Sequence, residues 1–174
     1  MARALSPTDL KRLHRRWRQR SQHRLGIGLD GVQGPFNVGA VIRTAAAYRC
    51  ESLWLTESAT GPDNPKVGKT ALGTDRFMTA TRVPTGREMV GELHGRGFMA
   101  IAIELADTSK PLFELDLARD VCFIVGNEDH GCSSATLDAA DEIAYLPQFG
   151  KVGSLNVATA ASIAMYEWAR QNVE

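Results

Sequence analysis

The sequence predicts an α/β domain built on a mostly parallel sheet with helices on both faces. Three features of the chain predict it. Val121-Cys122-Phe123-Ile124-Val125 is an unbroken apolar run, the pattern of a central parallel strand buried on both faces. Strand-like and helix-like segments alternate, as βαβ units require. Val157 to Arg170 sets Ala158, Ala161, Met165, Trp168 and Ala169 on a helical period. At 174 residues the chain suffices for one domain with a substantial core.

The elements follow in order. Ser6-Pro7-Thr8-Asp9 reads as a helix start, with Ser as cap and Pro in the first turn. Leu10, Leu13 and Trp17 form an apolar stripe expected to dock on the body, with Trp17 assigned to packing. Leu25 to Val32 is strand-like, and a helix is expected from Asn37 to about Arg49. Ser52 to Leu55 is a short strand, Thr60 to Lys66 a turn-rich loop, and Lys66 to Leu72 a short helix. Arg76 to Val83 reads as strand, Gly86 to His94 as helix and Phe98 to Leu105 as strand. Glu142 to Leu146 is a short strand stopped by Pro147, which has no backbone donor.

Charge divides the chain. Residues 1–24 carry Arg3, Lys11, Arg12, Arg15, Arg16, Arg18, Arg20 and Arg24 against Asp9 alone, a net of +7 that leaves −7 on the remainder. This marks 1–24 as a basic N-terminal helical extension and 25–174 as the body. A solvated basic face is one reading of the extension. A footprint for a phosphate backbone is the other, through Lys11, Arg12, Arg15, Arg16 and Arg18. Lys66 and Lys69 are further candidate phosphate contacts.

Composition removes several function classes. No apolar run approaches bilayer-spanning length, and the N-terminus lacks the apolar core of a signal peptide. Cys50, Cys122 and Cys132 are odd in number and show no metal-type pairing, which suits reduced thiols in the cytoplasm. The four histidines have no ligand spacing, so no metal is expected, and no serine-hydrolase elbow is present. Gly26-Ile27-Gly28-Leu29-Asp30-Gly31 fits a dinucleotide fingerprint, with Glu51 downstream. That fingerprint must open a helix, whereas here Gln33-Gly34-Pro35 follows.

Three polar-and-glycine segments fall at strand ends. The first, Gln33 to Ala45, contains Asn37, Gly39 and Arg43. Asn37 is a good helix cap by itself. Arg43 lies about two turns further along an otherwise apolar helix, so both can face one site unless Arg43 simply pairs with a carboxylate. The second, Gly126-Asn127-Glu128-Asp129-His130-Gly131, directly follows the Val121–Val125 run, and turn chemistry alone could account for it. The third runs from Leu146-Pro147 through Gly150 to Ser154-Leu155-Asn156-Val157, where Ser154 is a candidate cap. A strand, a glycine loop and a helix N-terminus commonly build a small-molecule site.

In order and spacing these segments resemble the three signature motifs of the SpoU branch of the SPOUT RNA methyltransferases, over roughly Leu25 to the C-terminus. Asn37, Gly39 and Arg43 match the first motif; Gly126, Glu128 and Gly131 the second; Leu146-Pro147, Gly150 and Ser154-Leu155-Asn156-Val157 the third. Asp129-His130 stands where small residues are common, and Ala158 follows the Asn-Val pair. The resemblance implies a C-terminal trefoil knot whose threaded loops make the cofactor site, and a homodimer with an interfacial active site. Ala45-Ala46-Ala47 and Ala158 to Ala164 would permit close helix contacts there. It further implies S-adenosyl-L-methionine as donor and methylation of an RNA ribose 2′-hydroxyl, of transfer RNA by preference or ribosomal RNA. Transfer RNA is preferred because a lone small domain suits an isolated, compact RNA.

By the same resemblance, Ile103, Gly126, Gly131, Leu146 and Leu155 would hold the donor. Asn37, Arg43, Glu128, Ser154 and Asn156 would form the catalytic set. A guanidinium is effectively always protonated, so Arg43 fits phosphate binding and alkoxide stabilisation better than proton abstraction. The alternative is a non-catalytic RNA-binding protein that keeps the fold.

Overall fold

A computed structural model describes residues 2–173. Its strands are β1 (Leu25–Asp30), β2 (Ser52–Thr56), β3 (Thr79–Val83), β4 (Met99–Ile103), β5 (Lys110–Pro111), β6 (Val121–Gly126) and β7 (Glu142–Tyr145). Its helices are α1 (Pro7–Arg18), α2 (Pro35–Ala47), α3 (Gly68–Ala71), α4 (Gly86–Gly95), α5 (Ser134–Leu137) and α6 (Val157–Gln171). The strands form one sheet in the order β3-β2-β1-β6-β4-β7-β5. Every pairing is parallel. Late strands are interleaved among early ones: β6 sits between β1 and β4, and β7 between β4 and β5.

Both faces are covered, as a parallel sheet requires. On one face Leu25, Ile27 and Leu29 of β1 join Val38, Val41 and Ile42 of α2 and Ala161, Met165 and Trp168 of α6 in the larger core. On the other, Met89, Val90 and Leu93 of α4 pack on Trp54, Ala100, Cys122 and Ile124. The glycines of the dinucleotide-like string belong to β1 itself. A side chain at Gly28 would run into Met89 Sδ at 2.6 Å, so the glycine admits α4 to the sheet.

Several expectations are corrected. The α1 stripe does not dock: no α1 residue is buried, Leu10 and Trp17 are 43% and 48% exposed, and Arg20 lies over the Trp17 ring. Helical periodicity specifies a stripe but not its partner. Of the small residues expected to permit helix contacts between copies, Ala45, Ala158, Ala161 and Ala164 are buried in the core, where they let α2 and α6 close on the sheet, whereas Ala47 is exposed and Ala46 and Ala160 are partly so. The short helix shrinks to α3. The expected strand from Arg76 begins as a 3₁₀ turn at Asp75–Phe77 and becomes extended only at Thr79.

Candidate active site

The carboxyl ends of β4, β6 and β7 and the N-terminus of α6 enclose a cleft of about 520 Å³. Ligands of open parallel sheets bind at such strand ends. The cleft wall includes Ile103, Gly126, Gly131, Leu146 and Leu155, all five residues singled out for donor binding. Glu128, Ser154 and Asn156 line it too, with Glu104, Asp129, His130 and Tyr145.

Side-chain amides and one carboxylate tie the three motif segments together. Asn37 Nδ2 donates to Glu128 Oε1 at 2.9 Å, and Asn156 Nδ2 donates to Asn37 Oδ1 at 3.0 Å. The Gln33 and Gly34 N–H groups donate to Glu128 Oε2 and Oε1 at 3.1 and 2.9 Å. Gly34 is required there, since a Cβ would press on Glu128 Oε1 and Asn37 Nδ2. Burial alone would push the Glu128 carboxyl up. Donation from Asn37, Gln33, its own N–H and Gly34 outweighs burial and holds it below the ordinary carboxylate value.

The capping assignments change. Gly34 is the N-cap of α2, and Asn37 lies inside the first turn, its side chain diverted to Glu128 and Asn156. Ser154 caps nothing; Asn156 caps α6, its Oδ1 accepting from the Ala158 and Thr159 N–H groups.

Arg43 does not join the cluster. It is exposed, lies outside the cleft wall, and makes no ion pair or hydrogen bond among the described residues. Six residues advance a helix by about 600°, which leaves the Asn37 and Arg43 side chains roughly 120° apart. Lys11, Arg12, Arg15, Arg16 and Arg18 are exposed on α1, Lys69 on α3, and Lys66 just before it.

Three supporting residues escaped the sequence reading. Asp30 is only 6% exposed, and its Oδ2 accepts from Ser133 N–H, Ser133 Oγ and Thr136 Oγ1 at 2.8, 2.7 and 2.7 Å. Asn127 donates to the Gly31 carbonyl at 2.7 Å and accepts from the Asp129 and His130 N–H groups, locking the second motif's turn. Glu104 Oε2 accepts from Cys132 N–H at 2.9 Å and abuts Gly131, whose φ of +69° favours glycine. The available signal was a charged residue ending an apolar strand: Asp30 after Leu29, Glu104 after Ile103.

A parallel α/β sheet with a polar cleft at its carboxyl edge, closed by three cross-linked motif loops, defines a small-molecule-binding domain of the doubly wound class. Residues 24–166 match the SpoU rRNA Methylase family, and the chain belongs to it. It is 33% identical over 156 residues to an uncharacterized tRNA/rRNA methyltransferase of Synechocystis, covering 89% of this chain and 57% of the relative. It is 30% identical over 155 residues to the tRNA (guanosine(18)-2'-O)-methyltransferase of Escherichia coli K12, covering 87% and 66%. The AdoMet-bound rRNA methyltransferase from Sinorhizobium meliloti superposes with a TM-score of 0.80 at 26% identity, over 88% of this chain and 58% of that one. The chain thus spans less than two thirds of the length of these curated relatives.

Proposed function

We propose that this chain transfers a methyl group from S-adenosyl-L-methionine to the 2′-hydroxyl of an RNA ribose, with transfer RNA the preferred substrate over ribosomal RNA. The observation that carries the reading is the Asn156–Asn37–Glu128 chain, which binds the three motif segments together at one cleft. The named activities of the relatives support it.

The cleft fits the donor. Its volume lies within the range of small-molecule sites. Ile103, Leu146, Leu155 and Val157 supply apolar surface for an adenine ring, with the Gly126 backbone beside it. Glu104, Glu128 and Asp129 supply negative charge, which suits a ligand carrying sulfonium and ammonium groups. When bound, the donor supplies a methyl group on an already activated sulfur, so no metal or acid is needed at the leaving group. The chain's own task is to hold and deprotonate the acceptor. Arg43 binds the phosphate beside the acceptor ribose and stabilises the developing oxyanion. Asn37, Glu128, Ser154 and Asn156 set the position of the sugar.

Because Arg43 points away from its own cleft, we infer a homodimer in which each Arg43 serves its partner's cleft. The exposed side chains of Ile163 and Tyr166 on α6, which packs beside α2, support such a contact. We further infer that the C-terminus is threaded as a trefoil; the placement of β6 between β1 and β4 supports this. The basic α1 contacts RNA phosphates. The free, buried Cys50, Cys122 and Cys132 accord with a reducing cytoplasm.

Incubation with methyl-labelled donor and bulk RNA tests the reading. Label in nuclease-resistant 2′-O-methyl dinucleotides is expected. RNA binding without incorporation would favour the non-catalytic alternative.

A further inference from the structure

We propose that the surface from the first turn of α2 to the 3₁₀ turn at Asp75–Phe77 binds an unpaired strand of the substrate RNA, with bases stacked on Phe36 and Phe77 and phosphates held by Lys66, Lys69 and Arg76. The inference rests on the RNA-methylation reading. It adds the state of the substrate, which is single-stranded beside the acceptor ribose.

Charge singles this surface out. Residues 25–174 carry a net −7, and Arg82, Arg87, Lys110, Arg119 and Arg170 of that acidic body are each ion-paired. Arg43, Arg49, Lys66, Lys69 and Arg76 make no ion pair among the described residues, and all five fall on or next to α2, α3 and the 3₁₀ turn. Elsewhere in the described body only Arg96 and Lys151 lack an ion pair, and Arg96 lies over the Trp54 ring at 4.7 Å. Asp75 is the single acid within residues 35–47 and 66–77. Phe36, Leu72 and Phe77, on the same elements, are each more than half exposed. The Arg76 guanidinium lies 4.8 Å over the Phe77 ring, so cation and aromatic face stand side by side. Rings interleaved with unpaired cations are what a single nucleic-acid strand binds.

The fold joins this surface to the cleft. Thr70 Oγ1 donates to the Phe36 carbonyl at 3.1 Å, and a Cβ at Gly39 would press on the Val67 carbonyl, so α3 lies directly on the first turn of α2. The 3₁₀ turn touches α2 as well. Phe36 immediately precedes Asn37, which bonds to Glu128 and Asn156. The surface thus starts one residue from the group that sets the sugar. Bases within a duplex cover one another's faces, so exposed rings serve unpaired ones. A second copy of this chain fits less well, because a two-fold contact here would bring the same cations of both copies together. The inferred contact between copies uses the other flank of α2, where Thr44 meets Ser162 of α6.

The test measures binding without donor, using an oligouridine that carries 4-thiouridine and a fully paired RNA duplex of equal length. Wild type should prefer the single strand. F36A and F77A remove exposed side chains and should keep the wild-type Tm. Each should lose about 5- to 150-fold in oligouridine affinity at an unchanged salt slope, since stacking releases no counterions. K66A, K69A and R76A should instead flatten the log–log salt dependence by about 0.7 per lost phosphate contact. Irradiation should cross-link the oligouridine to peptides containing Phe36 or Phe77. Wild-type affinity in both aromatic variants, or cross-links confined to α1, would overturn the proposal. So would sedimentation showing that F36A and F77A lose RNA only because their dimer is gone. Absence of wild-type incorporation into any RNA, with these binding results intact, would instead sink the methyl-transfer reading.

Discussion

Replacing Asp30 by Ala removes the acceptor that anchors the far side of the second motif's loop. Asp30 Oδ2 takes three hydrogen bonds, from Ser133 N–H, Ser133 Oγ and Thr136 Oγ1. Thr136 is fully buried, so its orphaned hydroxyl carries about 1–3 kcal/mol of desolvation cost. Ser133 is exposed and its two donors can turn to water, which limits each loss to about 0.5–1.5 kcal/mol. Together D30A should cost about 2–6 kcal/mol, a fall in Tm of roughly 4–24 °C for a chain of this size. Asp30→Asn keeps an oxygen in place and forfeits only the charge, so it should cost less than half as much. Thermal unfolding followed by circular dichroism reads both, and calorimetric titration with S-adenosylhomocysteine reads the cleft. Because Ser133 follows Gly131 and Cys132, D30A should also weaken that binding while D30N largely preserves it. If D30A melts within 1–2 °C of wild type, the buried carboxylate is not the anchor and the loop is held elsewhere.

Four further outcomes are expected. R43A should abolish methyl transfer yet leave S-adenosylhomocysteine affinity nearly intact by calorimetry; mixed with N156A protomers it should regain part of the activity if Arg43 serves the partner's cleft, and retained turnover in R43A alone would remove the residue from the mechanism. N156A should harm folding and catalysis together, because it deletes both the α6 cap and the bond to Asn37, worth about 1 kcal/mol each, or a Tm decrease of roughly 4–8 °C. Glu128 is held below its ordinary pKa, so its stabilising share is complete above about pH 4.3 and fades as pH falls through the lowered native value; the Tm gap between wild type and E128Q should therefore shrink in acid, and a gap that persists there would count against the charged hydrogen bonds. Alanine at Lys11, Arg12, Arg15, Arg16 and Arg18 should weaken RNA binding and flatten the log–log salt dependence by about 0.7–0.9 per lost phosphate contact, whereas an unchanged slope would return α1 to the role of a solvated face.

Legibility followed the range over which each interaction acts. The Val121–Val125 run and the Ala158–Met165–Trp168 period announced β6 and α6, because burial on a regular element writes itself into local pattern. The motif residues were legible by spacing. Their partnerships were not: Asn37 looks like a cap until Glu128 and Asn156, 91 and 119 residues away, claim its amide. The Asp30 partners, Ser133 and Thr136, lie 103 and 106 residues distant. Two-residue β5 and four-residue α5 are too short to carry any period. Gly26 and Gly28 mark the converse limit: glycine spacing alone cannot separate a phosphate loop from a strand that admits a neighbouring methionine, and here it was the following Gln33-Gly34-Pro35 that told them apart.

The hydrogen-bond pattern divides the proposed catalytic set into a frame and free groups. Asn37 spends its amide N–H on Glu128 and its carbonyl on Asn156; Asn156 spends its own on the α6 N-terminus and on Asn37; Glu128 accepts from two loop N–H groups as well. Atoms so engaged cannot also take a proton or bind a phosphate without breaking the link that holds the cleft together. Ser154 and Arg43 make no such bonds among the described residues. In the proposed reaction, then, the three motifs meet through residues that position, and the chemistry falls to side chains the fold leaves unpaired. This is why N156A should lower stability and rate together, while R43A should lower rate alone.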